Sequence, residues 1–343
     1  MLPPFVWSDE CLRHEPAAEV WVGVRMPATE LPARALRIRA ALLAAGAEEI
    51  AAAPHPDDAL LAVHDEALVA FLRTAWVEWS AAGLPSDRVV PYVFARDELT
   101  GGHPPVEPAA VWARPGRFAY DTMTLIGPGT WEAARAAVDV ALTAVDLVAG
   151  GERVAYACCR PPGHHVTRSL YGGSCYLNNS AVAAAELLRR VGGPVAVVDL
   201  DAHHGNGTQE LFRGRDDVRT ASVHVDPGAG WFPHFLGFAS ENDPSNLNLP
   251  LAPGSGDEPW LAAVHEAATF ARTARALVIA LGVDAAAGDP ESPLQVSGDG
   301  YLEAGRILGD LGLPTVVVQE GGYDLATIGA LVTATLAGVG APT

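Results

Sequence analysis

The chain has 343 residues, enough for one large α/β domain or two small ones with a full core. Hydrophobic residues make up 49%, which excludes a disordered polymer, and a formal net charge of −19 leaves no basic footprint for nucleic acid. No apolar run approaches the ~20 residues needed to cross a bilayer, and Met1 leads quickly to Asp9 and Glu10 without a basic-then-apolar leader.

In chain order, the stretch 83–116 comes first. It is rich in Pro and Gly, lacks periodicity, and reads as a lid or dimer-contact insertion. Beyond it, amphipathic patterns predict helices over 130–148, 179–191, 258–273 and 301–309. Between them, short valine-rich runs predict strands over 154–158, 195–200, 220–225, 276–281 and 315–319. This alternation implies an α/β fold, with a mostly parallel sheet carrying helices on both faces. The four cysteines, Cys11, Cys158, Cys159 and Cys175, form no CxxC pair. Buried free thiols in a reduced, cytoplasmic compartment are therefore expected.

Polar residues gather where the predicted strands end, the edge at which parallel sheets build sites. Asp199, Asp201 and His203 follow the 195–198 run, and Asp284 follows 276–281. Asp201-x-His203 points two side chains the same way on extended backbone. With Asp284 they can hold one Zn²⁺ and leave a coordination position open. A strand-end aspartate alone would more simply cap the next helix; the number and type of ligands favour metal.

His164-His165 follows a rigid Pro-Pro-Gly turn, and a tandem pair beside a metal suits a base for water and an acid for the leaving amine. Each ring needs an acceptor on its other nitrogen, and Asp199 and Asn206 are the candidates. An Asp partner favours imidazolium and an Asn does not, so the two basicities should differ. Tyr323, on the Glu320-Gly321-Gly322-Tyr323-Asp324 turn, can hydrogen-bond an oxyanion. The acidic charge is suited to attracting a cationic substrate, with solubility alone the simpler reading of it.

The stretches RPPGHH, DLDAHHGNGTQ, LGVDAAAGDP and EGGYD together resemble the histone deacetylase superfamily, in the family's order and spacing. Pro128–Ala133, His224–Pro227 and Phe232–Gly237 are most similar to the bacterial acetylpolyamine amidohydrolases. The resemblance implies a single arginase/deacetylase-like domain over 1–343, with the active site at the carboxyl ends of the strands. It implies Zn²⁺ on Asp201, His203 and Asp284, and a structural K⁺ beside Asp199, Asp201 and His203 with Ser222 and the Val223 carbonyl. His164, His165 and Tyr323 become catalytic, Gly173 accepts the substrate amide N–H, and Phe232 walls the acyl tunnel. The insertion, by the same likeness, builds a homodimer and narrows the entrance.

Three positions refine the pattern. Ser174 replaces the second tunnel aromatic, which implies a wider tunnel. Met123 replaces an acid that contacts the cationic substrate, though Asp121 is close by. Glu291 matches the gatekeeper glutamate of a polyamine-selective eukaryotic member. The expected activity is zinc-dependent removal of an N-acetyl or short N-acyl group from a small cationic amine. The alternatives are an ε-N-acetyllysine protein deacetylase, a deacylase of another small metabolite, a non-catalytic sensor, or an arginase-type hydrolase.

Overall fold

The computed structural model describes residues 2–104 and 106–341, so Met1, Pro105, Pro342 and Thr343 of the expected 1–343 domain lie outside the described residues. The strands are β1 (Phe5–Trp7), β2 (Glu19–Trp21), β3 (Val24–Met26), β4 (Glu49–Ala51), β5 (Val154–Ala157), β6 (Val195–Asp199), β7 (Val218–Val225), β8 (Asn246–Leu251), β9 (Ala276–Leu281) and β10 (Thr315–Gln319). Eight form one sheet, ordered β4-β1-β5-β10-β9-β6-β7-β8, with every neighbouring pair parallel. β2 and β3 form a separate antiparallel hairpin.

The central strands are apolar throughout because both faces are covered. In β6, Val195 and Val197 pack toward a layer that includes helices Thr130–Ala149 and Asn179–Val191. Their neighbours Ala196 and Val198 face the other layer, with Asp257–Ala271, Gly298–Gly309 and Ile328–Val339. The five expected strands are present, with ends shifted by two residues at most; β7, for example, starts at Val218 rather than at residue 220. The outer strands β1, β4 and β8 carry no comparable signal. Two of them are three residues long, and β8 contains Pro250, which an edge strand tolerates. Among the described residues of 83–116 the chain makes only short helical turns such as Asp97–Thr100 and Pro115–Phe118, and exposes Tyr92, Leu99, Val106 and Trp112.

One polar knot lies inside this frame. Glu30, 1% exposed, accepts from Arg34 at 2.7 Å and pairs with Arg160 Nε at 3.0 Å. Arg34 also donates to the carbonyls of Glu320 and Gly322, and its guanidinium stacks 4.6 Å from the Tyr323 ring centroid. Burial alone would raise the Glu30 carboxyl, but Arg160 and Arg34 outweigh it and hold it below its ordinary value. Its contribution to stability is thus present at neutral pH and lost as pH falls through that lowered value. Glu30→Gln is expected to destabilise the fold by about 3–5 kcal/mol, the usual cost of leaving a buried charge unpaired. Chemical denaturation at neutral pH measures it; an unchanged midpoint would refute the role given to the knot.

Candidate active site

Because β5, β6, β9 and β10 run parallel and lie together, their carboxyl ends open on one edge. Asp201 and His203 follow β6, Asp284 follows the neighbouring β9, and the potential ligand atoms of the three lie within 4.8 Å of one another. His203 Nδ1 is 3.1 Å from Asp201 Oδ1 and 3.0 Å from Asp284 Oδ2. Backbone amides steady the carboxylates: Gly321 N–H donates to Asp201 Oδ2 and Ala202 N–H to Asp284 Oδ1, both at 2.7 Å. Gly282 and Gly321 are needed for this close approach, since a Cβ at either would collide with the Asp201 carboxylate.

Burial opposes a charge on His203, yet Asp201 and Asp284 outweigh it and raise the imidazole well above its ordinary range. Two buried carboxylates thus demand a positive charge between them, which a divalent cation meets as well as a proton does. The donor set, two carboxylates and one imidazole, fits Zn²⁺ with a free position.

Beside this cluster, His164 and His165 follow β5. His164 Nδ1 lies 2.9 Å from Asp199 Oδ2, and His165 Nδ1 lies 2.7 Å from Asn206 Oδ1. The two rings are 4.0 Å apart, centroid to centroid. Burial disfavours charge on both. For His164, Asp199 and Asp201 reverse that and raise it to about 10. For His165, the neighbouring His164 and His203 add to burial and lower it well below its ordinary range. Asn206 Nδ2 donates to the His165 carbonyl, which leaves Oδ1 to accept from Nδ1–H and Nε2 as a free acceptor.

Two of these groups, His165 and His203, line a pocket of about 560 Å³ whose wall also carries Tyr323, Gly173, Ser174, Phe232, Met123, Asp121 and Glu291. Phe232 stands edge-on to His165 at 4.9 Å. Gly173 and Ser174 both have positive φ, +60° and +59°. The turn they make is pinned by Asp121 Oδ2, which accepts from Gly173 N–H at 2.6 Å, while Oδ1 accepts from Met123 and Thr124 N–H. Asp121, expected as a cation contact, therefore spends both oxygens on the backbone. Burial pushes Tyr323 well above its ordinary value, against the pull of Arg34, so the phenol keeps its proton. Ser222 and Asp199 are register partners on β7 and β6 and line one small cavity; Val223 follows on β7.

Some contributors have no strong mark in the sequence. Asp289 Oδ2 accepts from the Tyr323 and Asp324 amides, at 2.7 and 3.1 Å, and its Oδ1 accepts from Glu291 N–H. An Asp before a Pro in a Gly-rich turn is the only hint of this in the sequence. Glu320 Oε2 accepts from the Gly163 and His164 amides and Oε1 from the Ser180 hydroxyl, which anchors the turn that carries the tandem histidines. Arg34 lies so far from Tyr323 in sequence that no local pattern links them.

Residues 28–339 match the family described as Histone deacetylase domain. The chain is 40% identical to acetylpolyamine amidohydrolase 1 of Pseudomonas aeruginosa, over 94% of this chain and 95% of that protein. It is 37% identical to the acetylpolyamine amidohydrolase of Mycoplana ramosa, over 97% of this chain and 98% of that one. The crystal structure of acetylpolyamine aminohydrolase from Burkholderia pseudomallei superposes with a TM-score of 0.92 at 35% identity, covering 99% of both chains. With its parallel sheet and this edge of acids and histidines, the chain belongs to the histone deacetylase family of hydrolases.

Proposed function

We propose that this protein is a zinc-dependent amidohydrolase that removes an N-acetyl or short N-acyl group from a small cationic amine such as an acetylpolyamine. The observation that carries this reading is the acid–imidazole triad beside two histidines with opposite charge preference, with His203 and His165 lining one pocket. The full-length likeness to enzymes named for acetylpolyamines supports the substrate class.

In this reading Asp201, His203 and Asp284 hold the metal. A bound Zn²⁺ supplies Lewis acidity toward the amide carbonyl and acidifies water at its open position. His165, neutral and held by Asn206, accepts the proton of the attacking water at Nε2. Tyr323 donates its hydroxyl proton in a hydrogen bond to the developing oxyanion. His164 stays charged against Asp199 and favours negative charge forming nearby. The proton on His165 Nε2 then passes to the departing amine. Gly173, whose turn Asp121 pins, offers its carbonyl to the amide N–H, and Phe232 walls the acyl group.

The same reading puts a structural K⁺ beside Asp199, Asp201 and His203 with Ser222 and the Val223 carbonyl, supported by the register pairing of Asp199 with Ser222 across β6 and β7. The exposure of Tyr92, Leu99, Val106 and Trp112 along one segment supports the 83–116 arm as a contact with a second copy. Four buried free cysteines fit a reducing cytoplasm. Among the described residues no helix is long and apolar enough to cross a membrane.

Purified protein should turn over acetylated diamines and polyamines with higher kcat/KM than acetyllysine peptides. A chelator should abolish the activity and added Zn²⁺ restore it. A preference for the peptides would favour a protein deacetylase, and a preference for bulkier neutral acyl amides would point to the opening left by Ser174.

A further inference from the structure

The tandem histidines and Tyr323 approach one pocket from neighbouring strands, β5 and β10. Both leave the sheet before their functional residues: β5 ends at Ala157 and β10 at Gln319. The separation between the two turns is therefore not fixed by ladder hydrogen bonds, and side chains must set it.

One side chain spans the gap. Glu320, fully buried, opens the turn that carries Tyr323, and its carboxylate reaches the turn that carries the histidines. Oε2 accepts from Gly163 N–H at 2.6 Å and from His164 N–H at 3.1 Å. Oε1 accepts at 2.6 Å from the Ser180 hydroxyl, in the first turn of the helix Asn179–Val191. The backbone of Glu320 is held on both sides. Its N–H donates to the Leu281 carbonyl at the end of β9, 2.9 Å away, and its carbonyl accepts from Arg34 at 2.6 Å. β9 leads into Asp284, so the same residue also refers the histidine turn to the metal ligands. The carbonyl side of that turn has its own support, since His164 O accepts from the Gly207 and Thr208 amides at 3.0 and 3.2 Å. On the amide side, Gly163 and His164 both donate to Glu320. A Cβ at Gly163 would collide with the Leu177 carbonyl and the Asn179 amide, so the turn has no room to shift toward that helix.

We infer that Glu320 is a positioning residue for the hydrolysis: the length of its side chain sets how far the His165 base stands from the Tyr323 donor and the metal ligands. This rests on the deacetylase reading above and adds to it the part that registers two catalytic turns against each other. The rival role is electrostatic, because the carboxylate also lies close to the His164 ring, with ligand atoms of His164, Cys175 and Glu320 all within 4.8 Å of one another. Length and charge are separable. Glu320→Gln keeps the length and an oxygen for the two amides, whereas Glu320→Asp keeps the charge and is one methylene shorter.

The test measures kcat and KM for an acetylated diamine, with rates expressed per bound zinc from elemental analysis and stability followed by thermal unfolding. Glu320→Asp is expected to lower kcat by about 10–10²-fold, since a misplacement of about 1 Å at the reacting centre has that cost, with KM nearly unchanged. Glu320→Gln should recover most of the loss. Combined with Tyr323→Phe, the Asp variant should lose less than the product of the two separate losses, because a misplaced donor has less left to contribute. If Glu320→Asp proves too unstable to retain zinc, Ser180→Ala, which frees Oε1, should show the same kcat-only loss in smaller measure, and an unaltered kcat there would overturn the role. A larger loss in the Gln variant than in the Asp variant would overturn positioning in favour of charge. A folded, zinc-replete Asp variant with wild-type kcat would leave Glu320 with support of the fold alone. If the wild-type protein hydrolyses no acetylated amine, the reaction itself is overturned.

Discussion

Replacing His165 with alanine is expected to lower kcat for an acetylated diamine by about 10²–10⁴-fold, the usual contribution of a positioned general base. The reason lies in the contrast between the two tandem rings. His165 is buried beside the charged His164, and its partner Asn206 is neutral, so its Nε2 stays free to take a proton. His164 is bound to Asp199 and raised to about 10, so near pH 7 it has no proton-accepting capacity. His164→Ala should therefore cost less than His165→Ala and act through lost positive charge. Metal content by elemental analysis should be kept in both variants, because neither ring belongs to the triad. The reverse order of losses would assign the base to His164.

Tyr323→Phe is expected to lower kcat by about 10²–10³-fold, as removal of one oxyanion donor does, with little change in KM. The phenol is half-buried on the pocket wall and protonated, and its backbone is held from two sides. Asp289 takes its amide proton, and Arg34 grips the carbonyl of Gly322 while stacking on the ring. Such a group cannot swing away when substrate arrives, and its hydrogen bond need not be organised during the reaction. Steady-state kinetics on a folded, metal-replete variant decides the matter. A kcat near that of the unmodified protein would remove Tyr323 from the chemistry.

Much of the site is legible in the sequence. Asp201, His203 and Asp284 stood out because ligand-type residues recurred at the ends of valine-rich runs, and parallel strands send those ends to one edge. His164 and His165 were marked by their tandem placement after a Pro-Pro-Gly turn, and the candidate acceptors Asp199 and Asn206 by their types. The choice between those acceptors needed the folded chain, which sets Asp199 against His164 and Asn206 against His165. Asp121 is the instructive difference. Its type and position suggested a cation contact, but hydrogen bonds to Gly173, Met123 and Thr124 consume it.

Periodicity and strand-end chemistry by themselves determined the α/β class, the helix and strand sequence of the central layers, and the residue types available for metal and proton transfer. They are local properties, written within a few residues. Only the tertiary structure decided which partners meet: Glu30 with Arg34 and Arg160, Arg34 with the turn of Tyr323, and Glu320 with the turn of His164. Such pairings join segments far apart in the chain. Their geometry follows from how the layers pack, which no short stretch of sequence encodes.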